Sequence, residues 1–306
     1  MAWTILLLAP LIVATLLVKS PDHHFENEYL IQYHSHVKPT HRQIFQAKVH
    51  ADARFFGDYT GVIKTFSIEQ VRGNTKVQLT GATWGQTRLS HRFTNSTTSD
   101  FTYDTAPLAP IVYMIDSGIR IIHDEFQVDN TTIALFGANF VPGSTNDTDK
   151  LGHGTHTAAT IAGKAFGIAR PQTAQTAVRL VALKVLDARG NGGGWDGVVA
   201  AIEWAAKDTL SRKTQSLSII NLSLDSGGGP YSVVNQAISA AVNEFNITVV
   251  VAAGNSDESA NTFTPASCQD VITVAALDEN DQRADFSNWG PTVDIFAPGV
   301  GVQSAS

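Results

Sequence analysis

The chain has 306 residues, 43% of them hydrophobic and 16% charged, a balance that builds a globular core and excludes a disordered protein. Its length suits one large domain with a smaller companion. A formal net charge of −7 leaves no basic surface to gather phosphates, and no interleaving of aromatic and basic residues marks a groove for nucleic acid, so nucleic acid is not an expected partner.

The chain opens with MAWTILLLAPLIVATLLVKS, apolar from Ile5 to Val18 apart from Pro10 and Thr15. Residues 1–20 read as a secretory signal peptide, because 14 residues interrupted by proline are short for a membrane span and Val18 and Ser20 are small enough to flank a cleavage point. The product is therefore expected outside the cell, with no stable membrane insertion once the signal is removed. Secretion favours disulfides, yet Cys268 is the only cysteine, and stability must come from packing or bound ions. Sequons at Asn95, Asn130, Asn146 and Asn246 suit a secreted surface, whereas Asn221 lies inside an apolar run and is expected to stay bare.

From residue 21 to about 80, a strand-like YLIQY, a helix-like HRQIFQAKV and the run GVIKTFSIEQVRG suggest a small α+β unit, detachable from the larger domain on its C-terminal side. Six of the ten histidines fall there: His23, His24, His34, His36, His41 and His50. They are either solvated surface residues or groups whose charging at low pH loosens the segment.

After residue 105 β-branched runs alternate with helical periods. IVYMI is followed by a helix from His153, then VRLVALKVL, the helical GVVAAIEWAA, SIINLSL, the helical VVNQAISAAVNEF, TVVVAA, VITVAAL and VDIFA. Continuous apolar strands separated by helices predict an α/β domain, a parallel sheet covered on both faces, and in such a sheet ligands bind beyond the carboxyl ends of the strands.

Three polar residues fall at or near those ends. Asp116 follows IVYMI, His153 opens a helix in GHGTH, and Asn255 follows TVVVAAG. A carboxylate that fixes an imidazole's tautomer, an imidazole that shuttles a proton and an amide that bonds an oxyanion are the parts acyl transfer needs besides a nucleophile. Singly, each has a plain structural reading: a cap, a core histidine, a turn residue. The rival for LGHGTHTAATIAG is zinc held by His153 and His156, but helical zinc pairs stand four apart with an intervening glutamate, and here the spacing is three with Gly154 in second place. His156 is expected to pack beneath the site instead.

The stretches DSGI after a β run, GHGTHTAATIAG, AAGN, FSNWG and DIFAPG closely resemble the subtilisin-like serine peptidases, the proteinase K group in particular, from residue 82 to the end. The resemblance implies a three-layer α/β peptidase domain over residues 82–306, and it makes Asp116 the acid, His153 the general base and Asn255 the oxyanion donor. Residues 21–81 then match the inhibitory propeptide, an intramolecular partner that assists folding and blocks the cleft. Peptide substrates are expected as an added strand between Gly192, Gly193 and Gly194 on one side and Ser223, Leu224 and Asp225 on the other, with Ala252, Ala253 and Gly254 walling the first pocket. Asp225 and Ser226 interrupt the family's usual glycines there, and the small alanines point to aliphatic or aromatic side chains before the cleaved bond. By the same resemblance the Asp294 carboxylate and the carbonyls of Gln269 and Val271 form a structural calcium site, a salt bridge being the alternative for Asp294; catalysis itself calls for no cofactor.

The family's nucleophile lies in a serine motif one loop beyond DIFAPG, and the sequence ends at GVGVQSAS without it. In subtilisin, the founding example, loss of that serine costs about 2 × 10⁶ in turnover. Two readings are open: a secreted, monomeric serine endopeptidase zymogen of which this is the C-terminally truncated sequence, or an inactive peptide-binding pseudopeptidase. Retention of Asp116, His153 and Asn255 favours the first. The 306 residues expressed alone are expected to aggregate or to lack a sharp unfolding transition, and a cooperative melt in calorimetry contradicts that expectation.

Overall fold

The computed structural model describes residues 76–91, 99–104 and 110–305 except 146, 193, 227 and 228, together with four backbone strands at Leu17–Val18, Glu28–Gln32, Arg54–Phe55 and Ile63–Ser67. These four pair antiparallel among themselves. The rest of the expected signal and propeptide, including the helical HRQIFQAKV, lies outside the described residues, as do Asn95, Asn146 and Gly193.

Strand β1 (Lys76–Thr80) pairs antiparallel with β2 (Asp100–Asp104). Between them α1 (Trp84–Ser90) begins on a capping box in which Thr83 and Gln86 satisfy each other's backbone donors. Gln86 also donates from its side chain to the carbonyls of Ala165 and Gly167, and Arg88 pairs with Asp281 at 2.5 Å, so α1 is fastened at both ends.

The body is a parallel sheet of seven strands: β3 (Ile111–Asp116), β4 (Ala134–Asn139), β5 (Arg179–Lys184), β6 (Ser218–Leu222), β7 (Thr248–Ala252), β8 (Ile272–Leu277) and β9 (Ile295–Pro298). Their spatial order is β4-β5-β3-β6-β7-β8-β9, every pairing parallel. The first strand thus lies inside the sheet: from β3 the chain steps out to the edge strand β4, comes back to β5 beside β3, then crosses to build β6 to β9 on the other side. That reversal opens a crevice at the carboxyl end of β3, where Asp116 sits.

Alternate residues of β3 feed two cores. Ile111, Tyr113 and Ile115 join Val198, Ala201, Ile202 and Ala205 of α3 (Gly194–Arg212) and Val234, Ile238 and Ala241 of α4 (Ser232–Asn243). Val112 and Met114 join Ala158, Ala159 and Ala162 of α2 (His153–Ala162) on the opposite face. The same period of two aims Asp116 toward α2. Sheet and helices make the three layers expected from the sequence, and among the described residues no helix is long and apolar enough to cross a membrane.

Helix α2 lies close on the sheet because its buried positions are small: Gly154, Thr155, Ala158, Ala159 and Ala162. At Gly154 a methyl group would run into the backbone oxygen of Gly118 and stand 3.2 Å from the Asp116 side chain. Glycine to alanine inside a helix ordinarily gains up to about 1 kcal/mol. Here overpacking reverses the sign: Gly154→Ala is expected to lose about 1–3 kcal/mol, read from the urea unfolding midpoint of the C-terminally extended protein.

Candidate active site

The site begins with two buried carboxylates, Asp116 at 0% and Asp149 at 2% exposure. Asp116 terminates β3, and its Oδ1 lies 2.6 Å from His153 Nδ1 while also accepting the Ser117 amide at 2.6 Å. Its Oδ2 accepts the Thr157 hydroxyl from the next turn of α2 at 3.2 Å. A carboxylate held by three donors in the interior can orient an imidazole without moving itself.

Asp149 does the same for the helix. Gly152, the residue before α2, has a left-handed backbone (φ 94°) and no capping side chain. Asp149 supplies that cap: Oδ1 accepts the amides of Leu151 and Gly152 and the hydroxyl of Ser117, and Oδ2 accepts the amide and hydroxyl of Thr155. Burial alone would raise its pKa, but these hydrogen bonds outweigh burial and hold it below the usual carboxylate range. Ser117 completes the link, since its hydroxyl also accepts the Gly154 amide at 2.9 Å.

Lys184, fully buried at the end of β5, spans the back of the site and donates to the carbonyls of Ser117 at 2.5 Å and Leu186 at 2.6 Å. Burial pulls its ammonium below the ordinary lysine range, against the pull of Asp149, Asp187 and Asp116. The strand end bearing Asp116 is therefore clamped from the β5 side, by the Lys184 ammonium on the Ser117 carbonyl and by the Val185 amide on the Asp116 carbonyl.

His153 is half exposed, its ring held at Nδ1. The hydrogen bond that His153 donates to Asp116 raises its pKa above the ordinary 6.5, burial opposing and the charges of Asp116 and Asp149 adding to the rise. His156 turns away: its Nε2 faces the Val302 carbonyl at 3.2 Å, and its own carbonyl accepts the Ser304 hydroxyl. The two imidazoles thus have separate partners, and no group of three metal-binding side chains occurs among the described residues.

Asn255 stands exposed beyond β7, two strands from β3, or roughly 10 Å at the usual inter-strand spacing. The loop that carries it is pinned by Asn288, fully buried, whose Oδ1 accepts the amides of Ser256 and Glu258 and whose Nδ2 donates to the Ala253 carbonyl. Gly254, at φ 108°, makes the turn.

The remaining expected positions flank this edge. Gly192 is exposed and bridges to Leu186 across a turn that Asp187 ties through the amides of Arg189 and Asn191, and Gly194 begins α3 at φ 70°. Ser223 accepts from the Asn221 side chain, Leu224 packs on the main core, and Asp225 is exposed. Ala253 and Gly254 are buried and Ala252 half-buried. At the far end of the domain Asp294 Oδ2 accepts the Thr273 amide at 2.8 Å, near exposed Gln269 and buried Val271; all three offer oxygen, the donor a hard cation requires.

A parallel α/β sheet carrying a buried acid bonded to a half-exposed imidazole at its switch point defines the class of protein in which the comparisons place the chain. The chain belongs to the subtilase family, whose model matches residues 109–306. It is 45% identical over 227 residues, 74% of the chain and 52% of the relative, to Subtilisin-like protease 3 of Pseudogymnoascus destructans. It is 42% identical over 233 residues, 76% of the chain and 53% of the relative, to the Cuticle-degrading serine protease of Arthrobotrys oligospora. The chain spans about half the length of these curated relatives. The fold is similar to that of a cold adapted subtilisin-like serine proteinase, with a TM-score of 0.63, 31% identity and coverage of 73% of this chain and 75% of that one.

Asp149, Ser117, Lys184 and Asn288 hold the elements of the candidate site together and were not singled out by sequence reasoning. Asp149 had a legible signal, an acid just before a helix start, and Ser117 and Asn288 fall inside the DSGI and FSNWG stretches; a lysine ending an apolar run carries none.

The Asp116–His153 bond favours imidazolium in the folded chain, so it contributes stability in full below about pH 6.5 that is lost as pH rises through the raised folded value. Asp116→Asn is expected to lower the His153 titration midpoint seen in histidine ring NMR and to flatten this part of the pH–stability profile; an unchanged midpoint counts against the pairing.

Proposed function

We propose that the chain is the acid- and base-bearing part of a secreted serine endopeptidase that hydrolyses peptide bonds in proteins. The observation that carries the proposal is the 2.6 Å contact between Asp116 Oδ1 and His153 Nδ1. In that role Asp116 holds the proton on Nδ1 and stabilises the imidazolium, leaving Nε2 to take a proton from a serine hydroxyl and return it to the leaving amine. The Asn255 amide bonds the oxyanion of the tetrahedral intermediate, and Asn288 keeps the Asn255 loop in place for it. Substrate lies as an added strand between the Gly192–Gly194 and Ser223–Asp225 segments.

The same reading makes residues 1–20 a signal peptide and 21–81 an inhibitory propeptide, and gives a monomeric extracellular product. Calcium, where bound, is held by the Asp294 carboxylate and the carbonyls of Gln269 and Val271 and supplies rigidity rather than chemistry.

Reading the transcript past the Ser306 codon tests the proposal: an in-frame serine motif at a helix start supports it, and an immediate stop leaves a peptide-binding pseudopeptidase. In the extended protein His153→Ala is expected to lower kcat by about 10⁶ and Asp116→Asn by roughly 10⁴, measured on a chromogenic peptide. EDTA is expected to lower the thermal midpoint, calcium to restore it, and Asp294→Asn to abolish the response.

A further inference from the structure

The strand end Ser223-Leu224-Asp225 meets the turn Gly254-Asn255 through a carboxylate. Asp225 Oδ2 accepts the Asn255 backbone N–H at 3.0 Å, and a methyl group on Gly254 would stand 2.8 Å from the same oxygen. Beyond it Ser226 and Thr264 exchange both backbone hydrogen bonds, 3.0 and 3.2 Å, which fixes the segment that carries the acid. The Asp225 side chain therefore reaches across the junction of the two segments that wall the first pocket under the proposed function, on which this inference rests.

Charge around that junction is one-sided. The segments 223–226, 252–257 and 262–266 contain two acids, Asp225 and Asp257, and no Lys, Arg or His. Asp257 is paired with Arg283 at 2.9 Å, whereas among the described residues no ion pair forms at Asp225, which stays exposed. An apolar side chain entering here would strip water from a carboxylate and return no hydrogen bond. A lysine or arginine would lay its aliphatic stem along Ala252, Ala253 and Gly254 and bring its charged tip to the acid, forming a charge-assisted bond.

We propose that Asp225 is a specificity-determining residue and that the first pocket takes a basic side chain, placing cleavage after Lys or Arg instead of after the aliphatic or aromatic residues suggested by the alanines alone. The acid fixes the Asn255 turn with one oxygen and recognises substrate with the carboxylate charge.

Peptide binding by the extended protein, freed of residues 1–81 and with its nucleophilic serine replaced by alanine, tests this without turnover. Titration calorimetry with Ac-Ala-Ala-Pro-Lys and Ac-Ala-Ala-Pro-Phe is expected to show the lysine peptide bound about tenfold more tightly at low salt, the preference shrinking as ionic strength rises. Asp225→Asn, a replacement at an exposed position, is expected to bring the two affinities within about twofold, and Asp225→Gly to reverse the order. Equal affinities, or tighter phenylalanine binding with Asp225 in place, overturn the assignment of specificity while leaving the pocket intact. Binding of neither peptide overturns the pocket reading itself, and the specificity with it.

Discussion

The site depends on one constraint: two carboxylates buried within a few ångströms of a helix start must both be satisfied without water. Asp116 and Asp149 meet it by dividing the available donors, Asp116 taking the Ser117 amide, the Thr157 hydroxyl and the His153 ring, Asp149 taking four groups around the start of α2 and the Ser117 hydroxyl. Each bond removes a desolvation cost that would otherwise fall on a charged group in the interior. The outcome is a helix terminus and a strand terminus joined through Ser117, with the imidazole as the one member facing solvent.

Much of the surrounding sequence is explained by that junction. The helix must approach β3 closely enough for His153 to reach Asp116, and this accounts for glycine and alanine along its buried side. Negative charge beside the first turn suits the positive end of the helix dipole, and it offsets the disfavour that the same dipole would impose on a protonated His153. Lys184 balances part of the acidity from behind, at the cost of burying an ammonium that only main-chain carbonyls receive. These groups act as a unit, because removing any one takes a hydrogen bond from another buried group.

What was legible in the sequence tracks how the information is written. β3, β5, β6 and β7 are buried on both faces and, like the partly buried β8, appear as apolar runs, and α3 and α4 carry a helical period that meets the sheet. The edge strand β4 escaped because Ala134–Asn139 is only partly buried and mixes Gly137 with large apolar residues, a pattern with no clear period. The β1–β2 pair joins segments 20 or more residues apart, a pairing that no local pattern encodes. Asp116 and His153 were recognisable by position at a strand end and a helix start, but Asn288 acts through bonds made only when distant segments meet, Lys184 reaches across to Ser117, and Asp149 joins its local helix-start bonds to one from Ser117. Asp225 was visible as an interruption of glycines, while its contact with the Asn255 amide required the fold.

The chemistry proposed for the site requires a proton held at Nδ1 of His153 by Asp116. The most direct measurement is the ¹H–¹⁵N spectrum of the ¹⁵N-histidine-labelled chain above the His153 titration midpoint. The expected result is the Nδ1–H tautomer at His153, with a far-downfield ring proton that disappears in Asp116→Ala. An Nε2–H tautomer, or a His153 ring indifferent to Asp116→Ala, would refute the pairing and the general-base role built on it.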